Sequence, residues 1–362
     1  MSLAVRPSRL PHVLVARLDN AGDVLLAGPA VRAVAAGAGR VTFLAGPSGS
    51  AAAELLPGVD DVVVFDAPWS GFSPAPVDRV ATDRLVDQLQ GLAVDEAVVL
   101  TSFHQSPLPL ALLLRLAGVP RVAAASVDYP GSLLDVRHPV PDGLHEVQRA
   151  LSIAASLGYQ LPVADGAALA LRGPLPDWRP FDEPYVVVHP GASVPARAWG
   201  PDRNRALVEA LVAQGQRVAV SGTTGERALT ATVSGCTPGG ASPGHVVDLG
   251  GRTDLAGLAG VLGGASALVC GNTGPAHLAA AVGTPVVSIF APVVPAAQWA
   301  PWGVPVAVLG DQSIACAGCR ARTCPLRGQP CLSGVSVDEV VAALDHLAPS
   351  PDRQAGTVGV GS

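Results

Sequence analysis

Short runs of β-branched and apolar residues alternate with longer alanine- and leucine-rich stretches along nearly the whole chain, a spacing that predicts βαβ units wound around parallel sheets. In the first half the runs at 13–17, 41–45, 62–65, 96–100 and 121–125 read as strands, with helical segments between them. Residues 173–184 then hold four prolines in twelve positions, which blocks helix continuation and strand pairing alike and reads as a linker. The pattern restarts at 185–189 and continues through 218–221, 246–249, 267–270, 286–290 and 306–309. The amphipathic stretch 337–347 predicts a closing helix, and the small, polar residues from 349 to 362 read as a disordered tail.

The fold class expected is α/β, with two facing, doubly wound, Rossmann-like domains at 1–172 and 185–348 joined by the linker 173–184. Sheets of this kind bind ligands beyond the carboxyl ends of their strands, so a cleft is expected there and the residues following each strand are the ones to inspect.

A length of 362 residues suits two domains of ordinary size. Hydrophobic residues make up 49% of the chain, yet no apolar run reaches the roughly 18 to 20 residues of a membrane span. Residues 1–11 lack the continuous apolar stretch of a secretory signal, which makes the cytoplasm the expected compartment. A net charge of −6 argues against a broad nucleic-acid footprint, which needs clustered positive charge, and favours a small-molecule partner. All 23 basic residues are arginine, a bias of the coding background rather than of chemistry.

Four blocks carry candidate chemistry, each directly after an expected strand. Arg17-Leu18-Asp19-Asn20-Ala21-Gly22-Asp23 places a carboxylate at a strand-to-helix turn, where Asp23 can take a proton from a hydroxyl. The alternative is a carboxylate favoured only by the helix dipole. His189-Pro190-Gly191-Ala192-Ser193 through Arg197-Ala198-Trp199 offers Arg197, whose planar fork suits phosphate oxygens, or else a solvated surface arginine. Ser221-Gly222-Thr223-Thr224-Gly225-Glu226 offers a carboxylate able to accept from paired hydroxyls, with a plain helix-start role as the alternative. Finally, Cys270-Gly271-Asn272-Thr273-Gly274-Pro275-Ala276-His277 is a glycine turn entering a helix, whose backbone N–H groups favour a diphosphate. There is no Gly-x-Gly-x-x-Gly after the first strand and no Asp-x-Asp, which argues against an ordinary NAD enzyme and a metal-bridged donor.

In this order, from Arg17 to about Leu332, the blocks resemble the heptosyltransferase family, glycosyltransferase family 9. The resemblance implies a GT-B-type fold and an inverting transfer of a sugar, a heptose in the family, from a nucleotide diphosphate such as ADP to a glycan or lipid-linked hydroxyl. Asp23 would be the catalytic base. The implied donor set is Ser193, Arg197 in place of the usual lysine, Glu226, Thr253, Asn272 in place of the usual aspartate, Thr273, Gly274 and His277. No cofactor is required for catalysis in this reading; the enzyme would be cytoplasmic, without a membrane span, and associated with the membrane at most peripherally. Two rival readings stand beside it. A nucleotide-sugar epimerase of the same architecture would isomerise donor without acceptor, and a degenerate nucleotide-sugar-binding protein would bind donor without turnover.

Cys316, Cys319, Cys324 and Cys331 fall in a loop, 313–333, rich in glycine and proline. Four thiolates so close fit a tetrahedral structural site for zinc or iron, the alternative being reduced local thiols beside ordinary buried cysteines at 236 and 270. The resemblance extends here to the autotransporter heptosyltransferases, whose comparable four-cysteine finger holds iron.

Overall fold

The computed structural model describes residues 9–71, 73–237, 240–242 and 245–348. The expected tail, 349–362, lies outside them. The described chain is α/β and divides into two compact units, the boundary falling between Arg172 and Gly173. The proline-rich stretch belongs to the second unit, where the Pro176 carbonyl and the Trp178 side chain pack on Gly260.

The first unit is built on β1 (His12–Arg17), β2 (Arg40–Ala45), β3 (Asp61–Val64), β4 (Glu96–Leu100), β5 (Arg121–Ala124) and β6 (Val136–Arg137). They form one parallel sheet in the order β3-β2-β1-β4-β5-β6. Every residue of β1 is buried, with Leu14 and Ala16 facing one core and Val13 and Val15 buried on the other face. A strand covered on both faces reads as a continuous apolar run, which is why the pattern was visible. His12 is accommodated in this interior by Thr42 Oγ1 at 2.8 Å and the Leu92 carbonyl at 3.1 Å.

The second unit carries β7 (Tyr185–His189), β8 (Arg217–Val220), β9 (Ala241–Ser242), β10 (Val246–Asp248), β11 (Ala267–Gly271), β12 (Val286–Ile289) and β13 (Val306–Leu309). The order is β13-β12-β11-β7-β8-β10-β9, with β9 antiparallel to β10 and the remaining pairs parallel. The helix Val337–Leu347 coincides with its expected bounds and opens on a capping box, in which Ser336 and Glu339 cap each other reciprocally. The sequence pattern missed β6 and β9. Each is a two-residue edge strand, too short to show a period.

Candidate active site

In the first unit the chain leaves β1 toward β2 on one side while β4 lies parallel on the other, so the order of strand addition reverses between β1 and β4. A crevice opens at the carboxyl ends of strands at such a point. β1 ends there on Arg17, only 2% exposed. Its Nη1 donates to Glu146 Oε2 at 3.1 Å, and its Nη2 donates to Asp23 Oδ1 at 3.2 Å and to Ser102 Oγ at 3.1 Å. Nε lies 2.7 Å from Asp19 Oδ2, but the oxygen is off the N–H direction, so the pair is a charge contact rather than a hydrogen bond.

Asp19 is held from its other side by Ser102 Oγ at 3.0 Å and Gln105 Nε2 at 2.6 Å. Arg149 completes the group, donating from Nη1 to the Thr101 carbonyl and lying 3.5 Å from Glu146 Oε1. Burial opposes the Arg17 charge, yet Asp19, Glu146 and Asp23 together outweigh it and raise the guanidinium pKa. For Arg149 burial prevails: Glu146 favours its charge, Arg17 opposes it, and the pKa falls below the ordinary arginine value. Asp23 sits in the first turn of the helix Ala21–Leu26, and its side chain, 18% exposed, is more open than those of Asp19 and Glu146 at 7% and 2%. It is therefore more than a residue settled by the helix dipole: a buried arginine fixes one of its oxygens.

In the second unit four neighbouring parallel strands, β11, β7, β8 and β10, end on the same edge of the sheet. After β7 the chain alternates: Val194, Ala196 and Trp199 are buried in the core, while Ser193 is exposed and Arg197 half-buried. Arg197 Nη1 donates to the Asn272 carbonyl at 3.3 Å, joining the turn after β7 to the turn after β11. The approach requires glycine at 271, where a Cβ would stand 2.6 Å from the Arg197 carbonyl oxygen.

Asn272 is 7% exposed. Its Nδ2 donates to the Ala291 carbonyl at 3.3 Å, and its Oδ1 is buried with no hydrogen-bond partner. Thr273 stands at the N-cap position of the helix Gly274–Ala281 without a side-chain cap hydrogen bond, and His277 is buried on that helix. This helix end is a poorer anion site than the sequence suggests, because Pro275 has no N–H and Ala276 gives its own to the Thr273 carbonyl at 3.1 Å. Arg197 is the cationic side chain tied to this turn, through the Asn272 carbonyl.

Glu226 does act as a helix-start residue, accepting at Oε2 from the Thr223 N–H and hydroxyl, both at 2.8 Å. Its Oε1 lies over Gly191, in the turn after β7. Beneath it His189 Nδ1 pairs with Ser221 Oγ at 3.0 Å, and burial lowers the imidazole pKa while Glu226 works the other way. Thr253 stands farther along the edge, half-buried before the N-cap Asp254. The turn after β10 is nonetheless tied to the turn after β8 by Gly251 N–H donating to the Gly222 carbonyl at 2.8 Å.

The cysteine loop departs from expectation. Among the described residues no three or more His, Cys, Asp or Glu side chains are arranged to hold a metal ion. Cys331 is buried at the head of the short helix Pro330–Ser333, Cys316 and Cys324 are half-buried and Cys319 is exposed, so the four thiols are anchored at different depths. They remain near enough to act on one another: burial first, then Cys324, Cys316 and Cys319, push the Cys331 thiol up. Cys270, an ordinary buried cysteine, is pushed up to about 12 by burial. The loop also braces the turn after β7, since Ala196 N–H donates to the Arg322 carbonyl at 3.0 Å and Gln329 Nε2 donates to the Ala196 carbonyl at 2.6 Å.

Sequence reasoning quoted Arg17 without a role and missed Glu146, Arg149, Ser102 and Gln105. The available signal was a charged pair, Glu146 and Arg149, on the buried face of an otherwise apolar helix, Glu146–Ala155.

Residues 84–329 match the family described as glycosyltransferase family 9 (heptosyltransferase). The chain belongs to this family. Lipopolysaccharide heptosyltransferase 1 of Pseudomonas aeruginosa is 33% identical over 231 residues, a stretch covering 59% of this chain and 62% of that protein. The fold is that of a glycosyl transferase family 9 protein from Veillonella parvula, with a TM-score of 0.77 at 15% identity over 95% of this chain and 99% of that one. It is likewise that of the E. coli heptosyltransferase WaaC with ADP, with a TM-score of 0.68 at 21% identity over 93% and 100%. Membership in a glycosyltransferase family sets the epimerase reading aside. No helix among the described residues is long and apolar enough to cross a membrane.

Proposed function

We propose that this protein is an inverting glycosyltransferase that moves a sugar from a nucleoside diphosphate to a hydroxyl of a glycan or lipid-linked acceptor. The first unit supplies the base and the second holds the donor. The observation that carries this reading is the placement of Ser193, Arg197, Glu226, Thr253 and Asn272-Thr273-Gly274 at the ends of four neighbouring parallel strands. A nucleoside diphosphate laid along that edge meets Arg197 and the Gly274 N–H at its phosphates and Glu226 at its ribose hydroxyls. Asn272 Oδ1, an acceptor otherwise unpartnered, takes a hydroxyl of the sugar, and His277 lines the same turn. ADP-heptose is the donor we assign, following the ADP-bound relative, with the cytoplasmic pool as its source.

Asp23 removes the proton of the acceptor hydroxyl as its oxygen attacks the anomeric carbon. The bond to the diphosphate oxygen breaks on the opposite face, and its electron pair remains on the leaving phosphate, where Arg197 stabilises the charge. No cofactor takes part. The four loop thiols are the donor set for a structural zinc or iron ion, which would take them as thiolates.

The test is transfer itself. Incubated with ADP-heptose and lipid-linked or glycan acceptors, the protein should release ADP only when acceptor is present. Asp23→Asn should lower kcat about 10² to 10⁴-fold, the contribution of a general base, while ADP affinity changes less than about tenfold. ADP binding without turnover on any acceptor would instead support the non-catalytic reading.

A further inference from the structure

We infer that Glu146 and Arg149 are positioning residues that set the basicity of Asp23 through Arg17. The inference rests on the role proposed for Asp23. Arg17, Glu146 and Arg149 are 2%, 2% and 8% exposed, three charges buried where apolar side chains of similar size would hold the fold at least as well. Their location gives them a use. One guanidinium bridges Asp23 on Nη2 and Glu146 on Nη1, with Asp19 against Nε.

An arginine paired with Asp23 alone would hold its carboxylate so well ionised that it became a poor proton acceptor. Sharing the same cation among three carboxylates returns negative potential to Asp23. Arg149, 3.5 Å from Glu146, trims that potential. The helix Ala21–Leu26 also packs on the helices Gly28–Ala35 and Ser50–Glu54. Of their charged groups, Arg32 is committed to Asp165 at 2.7 Å and Glu54 is exposed. From the Glu146–Ala155 helix the remaining titratable group is His145, buried at the N-cap, where its Nδ1 accepts from the Val147 N–H at 3.2 Å. The two oppositely charged residues of this helix should therefore move Asp23 in opposite directions.

The experiment follows the Asp23 carboxyl by NMR in full-length protein labelled with ¹³C at aspartate Cγ, the resonance being identified with Asp23→Asn. Glu146→Gln, which keeps an oxygen for Arg17 but removes the charge, should lower the titration midpoint by about one unit. Arg149→Gln should raise it, by about half a unit. In a transfer assay the acidic limb of the kcat profile should shift with the same signs. A midpoint unmoved by Glu146→Gln, or one moved in the same direction by both variants as general loosening would do, overturns the inference. Should Glu146→Gln fail to fold, Arg149→Gln decides alone, a rise supporting the inference and any other result overturning it. Wild-type protein that binds no nucleotide and transfers no sugar defeats the glycosyltransferase reading, while the NMR comparison still decides this one.

Discussion

The Glu226 carboxylate fills the space where a side chain at position 191 would begin: a Cβ built on Gly191 falls on Glu226 Oε1. Two turns from adjacent strands are thus fitted to each other through a charged group rather than an apolar one. Because that group is the end of a flexible side chain, Gly191→Ala should displace it at little cost to the fold. ADP affinity is expected to fall about tenfold, or ~1.4 kcal/mol, with a melting temperature lowered by only a few degrees. Calorimetric titration beside a thermal melt checks both, and unaltered ADP affinity would detach Glu226 from the nucleoside.

If the diphosphate lies at this turn, Arg197 should bear most of its charge, because Pro275 leaves the helix end at Gly274 short of N–H groups. Arg197→Ala should weaken ADP binding by about 1.5 to 3 kcal/mol, the range for a hydrogen bond to a charged group. Arg197→Lys should recover part of this, since the charge returns without the fork. Equal affinities for all three proteins would place the diphosphate elsewhere.

Gln329 grips the Ala196 carbonyl, next to Arg197, from within the cysteine loop. Gln329→Ala should weaken ADP binding several-fold without removing any group that touches nucleotide, because the turn carrying Arg197 loses a brace worth about 1 kcal/mol. If the thiols hold metal, protein purified under reducing conditions should contain close to one zinc or iron per chain, and chelation should lower the melting temperature and ADP affinity together. Metal-free protein with full affinity and stability would leave the thiols with no structural part.

His189 is held neutral by burial, its pKa lowered from 6.5. In the window below that value the unfolded chain binds the proton that the folded chain refuses, so stability rises with pH there and is lost as pH falls toward the folded pKa. Melting temperatures should be flat above about pH 7 and decline on acidification to about pH 5, and His189→Gln should flatten that slope. A slope identical in the variant would assign the acid sensitivity to other groups.

Much of this protein was legible in its sequence because the deciding forces there are local and periodic. Strands buried on both faces must be continuous apolar runs, so β4 and β7 coincide with the bounds read from the chain; the apolar edge strand β13 also coincides though only partly covered, and the remaining long strands agree to within a residue or so at their ends. The candidate residues followed from the same pattern, since a ligand-binding turn comes directly after a strand and its glycines and polar side chains are adjacent in sequence.

What the sequence could not decide is which side chains far apart along the chain share a charge or a proton. Glu146 reaches Arg17 across 129 residues, and nothing near either one announces the pair. Only the packing of the Glu146–Ala155 helix on β4, β5 and the helices Ala21–Leu26 and Gly28–Ala35, in an interior where an unpaired charge is costly, makes them partners. The same holds for the cysteines, whose spacing suggests a ready ligand set while the differing burial of Cys319 and Cys331 keeps it open. Periodicity and turn chemistry named the elements and the residues at their ends; the long-range electrostatics of a buried interior assigned those residues their neighbours.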